Sequence, residues 1–345
     1  MSVGKIKTSN LAEKVLALGS KAIKEIYTRD YAMEDSKNAF AEIANNNFNA
    51  PIRSFVKTPN QDLTIMPASV TSNSEVSLAV KILSIVPKNR ERGLPLIPGK
   101  LLLFNEETGM LKALMDGGMI TNLRTGATAG ITSKILHPAP AKVAMIFGCG
   151  AQGNYGLDSI LFAHPEVEKV YCYDYFPNFA QKYAENHKAL NDGREYIAVQ
   201  DIESAVREAD IIHCATTSTT ELFKGDWVKD GAHISAIGCY RLDMRELPAD
   251  LFKRDNVKLY VDQYNVMKEE SGDIMNAINL GILKEENIKL FGDIINGKDS
   301  GRTDNDQITV AKFVGLAPQD TIAANTIYKL AVQKGAGLEI DMNKI

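Results

Sequence analysis

The sequence predicts an α/β fold in which a parallel sheet, covered by helices, is joined to an α+β region made from both ends of the chain. Between residues 142 and 262, six short apolar runs are separated by segments long enough for helices. Most of these runs lack polar alternation, which is typical of parallel strands buried on both faces. Before residue 120 the apolar runs follow one another through turn-like segments, which indicates antiparallel strands.

The first 120 residues predict a helical segment followed by strands. Residues 10–47 carry apolar side chains at helical spacing. The β-like runs that come next are PIRSFV, DLTIMPASV, SLAVKILSIV and GKLLLFN. The segment NEETGMLKALMDG predicts a hairpin whose turn contains Thr108 and Gly109. This region is therefore predicted to be α+β, with sequential strands antiparallel.

The middle of the chain predicts the parallel sheet. It is preceded by NLRTGATAGITSKIL, a predicted helix of small residues that ends before Pro138. The predicted strands are KVAMIFG, KVYCYD, YIAVQD, DIIHCATT, HISAIG and KLYVD. Six such strands over about 120 residues match a doubly wound domain of the kind that binds dinucleotides.

The last predicted helix, PQDTIAANTIYKLAVQKG, follows the sheet. We expect it to return to the first region, because that would complete a separate α+β layer. The predicted boundaries are 1–125 and 318–345 for a discontinuous α+β domain, and 126–317 for the doubly wound domain.

Composition narrows the class of protein. A chain of 345 residues can bury a large core and form two domains. Its net charge of -4 and its lack of long like-charged runs argue against nucleic acid or an anionic membrane as a partner. The four cysteines are scattered without metal-ligand spacing, so we expect no metal and buried, reduced thiols in a cytoplasmic protein. No signal peptide or membrane span is expected from the hydropathy pattern.

The segment KVAMIFGCGAQGNYG contains Gly148, Gly150 and Gly153 in a G-x-G-x-x-G pattern. It follows a predicted strand and opens a predicted helix, which is the context that a dinucleotide-binding motif requires. The glycines allow a tight turn, close approach of the pyrophosphate and close packing of helix on strand. The helix N-terminus attracts the phosphates. The alternative is an ordinary glycine-rich turn.

Asp174 ends the second predicted strand, where a carboxylate accepts hydrogen bonds from the adenosine ribose hydroxyls. It would repel a 2′-phosphate, and no Arg or Lys follows directly in YFPNFAQK. The residue therefore favours NAD over NADP as the cofactor. The alternative is an aspartate that caps the next helix.

Several motifs, in order along the chain, resemble the ornithine cyclodeaminase/μ-crystallin family. They are IMPA with LAVKILSIVPKN, FNEETG, NLRTGATAGITSKIL, VAMIFGCGAQG, IGCYRLDMREL and GRTDNDQITVAKFVGLAPQDTIAA. The resemblance runs from about residue 50 to 335. It implies a Rossmann domain plus a substrate and dimerisation domain built from both chain ends, and hence a homodimer. Family members include ornithine cyclodeaminases, an archaeal-type alanine dehydrogenase and reductases of ketimines and cyclic imino acids.

The resemblance implies a site for a substrate carboxylate. Arg53, Lys81 and Arg124 match the family's carboxylate-binding residues, and two arginines with a lysine in a dry pocket form a strong anion site. Lys81 is also the expected catalytic residue. Without the family resemblance, Lys81 fits an edge-strand lysine that snorkels, and the arginines fit ordinary ion pairs. Further implied substrate-side positions are Met66, Tyr240 and Val314.

The resemblance also implies cofactor contacts beyond the glycine loop. The matching positions are Thr125, Ala151, Gln152, Thr216, Ile237 and Gly238. Thr216 follows the fourth strand of the predicted parallel sheet, at the carboxyl edge where open α/β sheets bind ligands. A helix-capping threonine is the alternative at that position.

One position departs from the cyclodeaminases, which carry an aspartate that acts on the substrate amine. Aligned on REL, that position is Tyr240. With an ordinary pKa of about 10, tyrosine is a poor general base at neutral pH. The departure places cyclisation of ornithine in doubt and leaves hydride transfer untouched.

The sequence thus predicts an NAD-dependent oxidoreductase that acts on the C–N bond of a small α-amino or α-imino acid. We expect it to reduce a cyclic imino acid such as pyrroline- or piperideine-2-carboxylate. The alternatives are ornithine cyclodeaminase, alanine or another amino-acid dehydrogenase, and a non-catalytic binding protein of the μ-crystallin kind.

Overall fold

A computed structural model describes residues 14–59 and 61–344. Its strands, in chain order, are β1 (Lys14–Leu18), β2 (Phe48–Asn49), β3 (Ser54–Lys57), β4 (Asp62–Ser72), β5 (Glu75–Ser84), β6 (Gly99–Phe104), β7 (Leu111–Asp116), β8 (Val143–Phe147), β9 (Lys169–Tyr173), β10 (Glu195–Ala198), β11 (Ile211–Cys214), β12 (His233–Ala236), β13 (Val257–Val261), β14 (Ile288–Leu290), β15 (Ile308–Lys312) and β16 (Leu338–Asp341). Its α-helices are α1 (Ser20–Ile26), α2 (Arg29–Ala44), α3 (Gly117–Leu136), α4 (Ala151–Ala163), α5 (Pro177–Lys188), α6 (Ile202–Glu208), α7 (Tyr264–Glu270), α8 (Gly272–Asn279), α9 (Phe291–Ile295) and α10 (Ala317–Lys334).

The first sheet joins the two ends of the chain. Its strand order is β16-β1-β7-β6-β5-β4-β2, and β3 pairs with β4. Strands β4 to β7 are antiparallel, as the sequence predicts, and Gly109 has φ +70 in the turn between β6 and β7. Burial alternates along β4 and β5, so one face of this sheet packs inward against α10, which lies on both strands.

The second sheet is entirely parallel and follows the order β10-β9-β8-β11-β12-β15-β13-β14. Every residue of β8, β11, β12 and β15 is buried, which is expected when helices cover both faces. The chain proceeds from β8 outward to β9 and β10, and then returns to β11 on the other side. This reversal creates a crevice at the carboxyl ends of β8 and β11, where doubly wound sheets bind ligands.

The prediction of helix over residues 10–47 is wrong at its start. Residues 10–13 lie outside the described residues, and residues 14–18 form β1. This strand is held between β7 and β16, so pairing with distant strands overrides the local helical pattern. The remainder of the prediction corresponds to α1 and α2.

The parallel sheet also contains strands that the prediction missed. The segment ITVAK forms β15, which is inserted between β12 and β13, and the short β14 extends the edge. Strand β14 has only three residues, and β15 follows an irregular segment after α9 ends at Ile295, so neither resembles the preceding βα units. Helix α3 also begins five residues before the predicted segment, because Asp116 caps it by accepting a hydrogen bond from the backbone N–H of Met119.

Helix α3 brings the two sheets together. It packs on α2 and α10 on one side and on α4 and β12 on the other. Close contact with α4 depends on glycines, because a Cβ on Gly126 would lie 2.5 Å from the carbonyl oxygen of Tyr155. An aromatic cluster of Phe40, Phe291 and Phe313 fastens α2 to the second sheet, with the rings of Phe40 and Phe313 4.9 Å apart.

The cysteines are free and buried, as expected from the sequence, except that Cys149, at the glycine loop, is only partly buried. In the described part of the chain, no helix has both the length and the apolar character needed to cross a bilayer.

Candidate active site

A buried cluster of two cations and one carboxylate lies between the first sheet and α10. Lys81 in β5 places Nζ 2.5 Å from Oδ2 of Asp320, and Arg124 in α3 places Nε 3.0 Å from Oδ1 of the same carboxylate. Lys81 is 1% exposed and lies on a central strand, so the expectation of a snorkelling edge-strand lysine is wrong. Because a lone buried charge is costly, these groups depend on one another for their burial.

The surroundings of Lys81 change its acidity. Burial lowers the pKa of Lys81 to about 7; the charge of Asp320 opposes this shift, and those of Arg124 and Arg53 add to it. Burial would raise the pKa of Asp320, but the charges of Arg124 and Lys81 outweigh it and hold that pKa below its ordinary value. An ammonium that titrates near neutral pH beside a carboxylate is suited to passing a proton to a bound base.

Arg53 lies at the mouth of the same cluster. Its Nε is 2.7 Å from Oε1 of Glu270, and its Nη2 donates to the carbonyl oxygens of Val314 and Gly315. Val314 therefore meets Arg53 through its backbone carbonyl. Gly315 has φ +80, and a Cβ there would lie 2.8 Å from Nη1 of Arg124. The Gly315 segment thus contacts both arginines, and a side chain at this position would push Arg124 away.

Glu270 is the second carboxylate of the site. Burial raises its pKa to about 7, although the charge of Arg53 opposes the shift. Its Oε2 is buried and accepts no hydrogen bond from the described residues. With all groups ionised, the three cations Arg53, Lys81 and Arg124 face the two carboxylates Asp320 and Glu270. A third buried carboxylate, Asp262, also acts on Glu270, and the N–H groups of the two arginines suit a ligand with a single carboxylate.

Two further predicted substrate-side residues lie near these charges. Met66 in β4 pairs directly with Lys81 in β5, so their side chains share the buried face of the sheet. Tyr240 is half-buried in the segment after β12. Burial raises the pKa of Tyr240, while the charges of Arg241 and Arg53 oppose the shift. The phenol is therefore protonated at neutral pH and offers a hydrogen-bond donor.

The glycine loop has the shape that an approaching phosphate requires. Gly148 has φ +93, and a Cβ on Gly153 would lie 2.0 Å from the carbonyl oxygen of Gly148. A Cβ on Gly150 would meet nothing within 4 Å, so the space above that residue is open. Helix α4 begins at the exposed Ala151 without a side-chain cap, which leaves its first N–H groups to face an anion.

Asp174 is held beside this loop. Its Oδ2 accepts a hydrogen bond from the backbone N–H of Cys149 at 2.9 Å, and its Oδ1 accepts one from the N–H of Phe176. It thus does not cap α5 but spans the end of β9 and the glycine loop. Each carboxylate oxygen keeps a second lone pair for a ribose hydroxyl.

Two buried oxygen atoms near the start of α4 lack partners. Neither Thr125 Oγ1 nor Gln152 Oε1 has a hydrogen-bond partner among the described residues. The amide nitrogen of Gln152, Nε2, donates to Oδ1 of Asn122. Buried polar atoms are almost always paired, so such atoms indicate a missing ligand. Together with the open space above Gly150, they fit the phosphates and ribose of a dinucleotide.

The remaining predicted cofactor positions form a rim at the carboxyl ends of β11 and β12. Thr216 follows β11, and Ile237 and Gly238 follow β12. A single carboxylate, that of Glu246, accepts hydrogen bonds from Thr216 and Gly238. A Cβ on Gly238 would lie 2.2 Å from the carbonyl oxygen of Thr216, so the two loops are in contact.

The sequence reasoning missed the acidic half of the site. Asp320, Glu270 and Glu246 were not among the predicted residues, although Asp320 and Glu246 lie inside motifs that carry the family resemblance. A signal was present for Asp320, since a buried Lys81 needs a carboxylate partner. No comparable signal marks Glu270 or Glu246, because their burial depends on how α7 and the loop after β12 fold. In the described residues, no group of three or more His, Cys, Asp and Glu side chains could hold a metal ion.

Comparisons with known proteins cover both sheets. The sequence profile of the ornithine cyclodeaminase/mu-crystallin family matches residues 13–335. A Delta(1)-pyrroline-2-carboxylate reductase from Bacillus cereus is 32% identical over 330 residues, which is 95% of this chain and 100% of the relative.

Two solved structures extend the comparison to three dimensions. A Thermococcus litoralis Delta(1)-pyrroline-2-carboxylate reductase in complex with NADH and L-proline is similar with a TM-score of 0.87 at 32% identity, covering 94% of this chain and 100% of the other. An archaeal alanine dehydrogenase dimer with bound NAD is similar with a TM-score of 0.86 at 28% identity, covering 95% and 99%. The predicted fold class is confirmed by both.

Proposed function

Since the chain belongs to the ornithine cyclodeaminase/mu-crystallin family, we propose that it is an NAD-dependent oxidoreductase that reduces a small cyclic imino acid. The observation that carries this proposal is the convergence of Arg53, Lys81 and Arg124 on the carboxylates of Asp320 and Glu270. A substrate with one carboxylate and a neutral imine offers its carboxylate to the two arginines. It also brings a nitrogen that needs a proton.

The residues divide the work by their geometry. Arg124 and Arg53 hold the substrate carboxylate through N–H groups that Asp320, Glu270 and the Gly315 segment do not occupy. This fixes the imine carbon in one orientation, which lowers the entropic part of the barrier. Bound NADH supplies the hydride that the imine carbon accepts.

Lys81 supplies the proton. Its Nζ donates one hydrogen to Asp320 and retains others for the imine nitrogen, so the nitrogen lone pair is protonated as the C=N bond becomes a C–N single bond. The charge of Asp320 favours the ammonium form of Lys81 and opposes the lowering of its pKa by burial. Met66, opposite Lys81, forms an apolar wall that excludes water from the reacting atoms.

The relatives support this substrate class. The 32% identical Bacillus cereus protein is a Delta(1)-pyrroline-2-carboxylate reductase, and the similar Thermococcus litoralis enzyme was solved with NADH and L-proline. The alanine dehydrogenase likeness keeps open-chain amino acids as a second substrate class. Ornithine cyclodeaminase activity and a non-catalytic binding role are the two competing functions, and Tyr240 disfavours the former.

Assembly is part of the proposal. The outer face of β4, β5 and β6 carries half-buried apolar side chains, which are Leu63, Ile65, Leu78, Val80, Ile82 and Leu102. A continuous apolar face of this kind marks a protein interface. We propose that two copies pair through it as a homodimer, and the similar alanine dehydrogenase is a dimer. The four free thiols support a cytoplasmic location.

We retain the boundaries 1–125 and 318–345 for the substrate and dimerisation domain, and 126–317 for the cofactor domain. The pairing of β16 with β1 and the packing of α10 on β4 and β5 support this division. The boundary after residue 125 falls inside α3, which packs on both domains. Helix α3 is therefore shared between them.

The test is a substrate panel followed by NADH absorbance in both directions. With NADH, pyrroline-2-carboxylate and piperideine-2-carboxylate should be reduced. With NAD, ornithine, lysine and alanine should react poorly. Faster oxidation of alanine would make the protein an amino-acid dehydrogenase, and NADH binding without turnover of any compound would make it a binding protein.

A further inference from the structure

Glu246 bridges the two loops after β11 and β12 that contain the predicted cofactor contacts Thr216, Ile237 and Gly238. Its Oε1 accepts hydrogen bonds from the backbone N–H of Thr216 at 2.6 Å and from the Thr216 hydroxyl at 2.9 Å. Its Oε2 accepts bonds from the N–H groups of Gly238 at 2.8 Å and Cys239 at 3.1 Å. The side chain is fully buried. Four donors, three of them backbone N–H groups, converge on its two oxygens, which suits a carboxylate, whereas an amide would place its NH₂ group against an N–H at one of them.

A second layer of charges holds Glu246 in place. Asp273, at the start of α8, accepts hydrogen bonds through Oδ1 from the N–H groups of Glu246 and Leu247. Lys312, at the end of β15, is also fully buried and donates to the carbonyl oxygen of Cys239 at 2.6 Å. Its Nζ lies 3.5 Å from Oδ2 of Asp273. The missed strand β15 thus contributes the cation that anchors this rim.

This arrangement determines what the rim offers to a ligand. The N–H groups of Thr216, Gly238 and Cys239 are taken by Glu246, and the N–H of Ile237 donates to the carbonyl oxygen of Cys214. The Thr216 hydroxyl donates its hydrogen bond to Glu246. The rim therefore presents carbonyl oxygens rather than N–H donors. A group that donates hydrogen bonds, such as a carboxamide NH₂, suits this edge, and a phosphate does not.

We propose that Glu246, anchored by Asp273 and Lys312, is the positioning residue that sets the spacing of these two loops for the nicotinamide half of the cofactor. This inference rests on the proposed function. The adenosine half would lie at the glycine loop and Asp174, at the ends of β8 and β9, and the hydrogen bonds of the Glu246 side chain go to Thr216, Gly238 and Cys239 instead. The two halves of the cofactor should therefore respond differently when Glu246 changes.

The test compares NADH with ADP-ribose, which lacks the nicotinamide, in direct binding measurements by calorimetry. In Glu246→Gln, the new NH₂ group faces N–H donors at one of the two loops. We expect the Kd for NADH to rise about tenfold, while the Kd for ADP-ribose stays within about twofold. Glu221→Gln is the control. Glu221 is exposed in the segment after β11 and accepts a hydrogen bond from the N–H of Ala249, so its substitution should leave both dissociation constants unchanged.

Gly238→Ala is a second test of the positioning role, which can be used if Glu246→Gln folds poorly. Its new Cβ would lie 2.2 Å from the carbonyl oxygen of Thr216 and separates the loops without removing a charge. It should also weaken NADH and spare ADP-ribose. Equal weakening of both ligands, or no change for either, would overturn the positioning role. Failure of the unmodified protein to bind NADH would instead overturn the proposed function.

Discussion

Nζ of Lys81 lies 2.5 Å from Oδ2 of Asp320, although the two residues are 239 positions apart in the chain. The pair joins β5 of the first sheet to the first turn of α10, and Arg124 in α3 completes it through the other carboxylate oxygen. Three elements that are distant in sequence are therefore joined at the carboxylate of Asp320. Changes to this contact should affect chemistry and the local fold in separable ways.

Replacing Lys81 by Met should remove most imine reduction and leave NADH binding intact. The methionine keeps the volume of the aliphatic stem but cannot protonate the imine or pair with Asp320. Loss of a charged partner in a buried pair typically costs about 2–5 kcal/mol, or roughly 30- to 5,000-fold in kcat/KM. The measurements are steady-state kinetics with pyrroline-2-carboxylate and NADH titration by fluorescence.

A matched control is available in the same sheet. Lys112 in β7 is half-buried and places Nζ 4.5 Å from the centre of the Tyr328 ring, outside the Lys81 cluster. Lys112→Met should retain kcat/KM within about twofold. Unchanged turnover in Lys81→Met would remove Lys81 from the reaction.

The pH dependence follows from the lowered pKa of Lys81. In the proposed mechanism its ammonium is the proton donor. Burial lowers the pKa of Lys81 to about 7, so the active form is fully populated well below that pH and is lost as pH rises through it. For imine reduction, kcat/KM should fall about tenfold for each pH unit above the midpoint. The pKa of Glu270 is also raised to about 7. Glu270 therefore titrates in the same pH range and changes the charge beside Arg53.

The two groups can be separated by substitution. Lys81→Arg keeps a positive charge that does not titrate, so any residual activity should lose the alkaline decline that Lys81 causes. Glu270→Gln should retain that decline. A wild-type profile that is flat from pH 6 to 9 would contradict the assignment of Lys81 as the proton donor.

Asp174 should make NADH strongly preferred over NADPH. Its two oxygens are fixed by the N–H groups of Cys149 and Phe176, so its negative charge cannot swing away from a 2′-phosphate. The neighbouring Tyr175 is 82% exposed and can be replaced without loss of core packing. Asp174→Ser combined with Tyr175→Arg should narrow or reverse the preference in kcat/KM. A tenfold preference of the unmodified protein for NADPH, about 1.4 kcal/mol, would show that Asp174 does not select the cofactor.

The sequence predicted best where a local pattern has one physical meaning. The glycine loop, the buried runs of β8 and β11 and the hairpin at Gly109 all have such patterns, and the structure contains each of them. The strand at residues 14–18 could not be predicted locally, because its β state depends on β7 and β16. Strand β15 was missed for the same reason, since its neighbours β12 and β13 precede it in sequence.

The site shows the same limit in its charges. Conspicuous cations in motifs, Arg53, Lys81 and Arg124, could be predicted, and the structure places them around the same few residues. A carboxylate partner for Lys81 could be expected, but the identity of Asp320 and Glu270 as the partners could not, because acidic residues in helices usually face water. Only the tertiary packing of α10 and α7 buries them beside the cations.

The proposed dimer predicts the effect of a charge on the outer sheet face. Val80 is half-buried on that face in β5, and Val80→Asp would place an unpaired carboxylate in the interface. We expect the dimer dissociation constant to rise at least about 100-fold, as measured by light scattering over a concentration series. Val332→Asp, at an exposed position of α10, should have no effect. A monomeric wild-type protein at micromolar concentration would defeat the proposal.

Ornithine should be a very poor substrate, because the sequence resemblance aligns Tyr240 with the aspartate that cyclodeaminases carry. Burial raises the pKa of Tyr240, so at neutral pH the phenol cannot take a proton from the δ-ammonium group. A cyclic imino acid needs no such step, since it already contains the C=N bond and brings one carboxylate for Arg53 and Arg124. Ammonia release from ornithine with NAD should therefore stay near background while pyrroline-2-carboxylate consumes NADH. In Tyr240→Asp, a carboxylate returns to this position, and ammonia release should rise above that of the wild type. Steady formation of proline and ammonia by the unmodified protein would mean that Glu270 or another base performs the role of the cyclodeaminase aspartate. The function would then be ornithine cyclodeaminase.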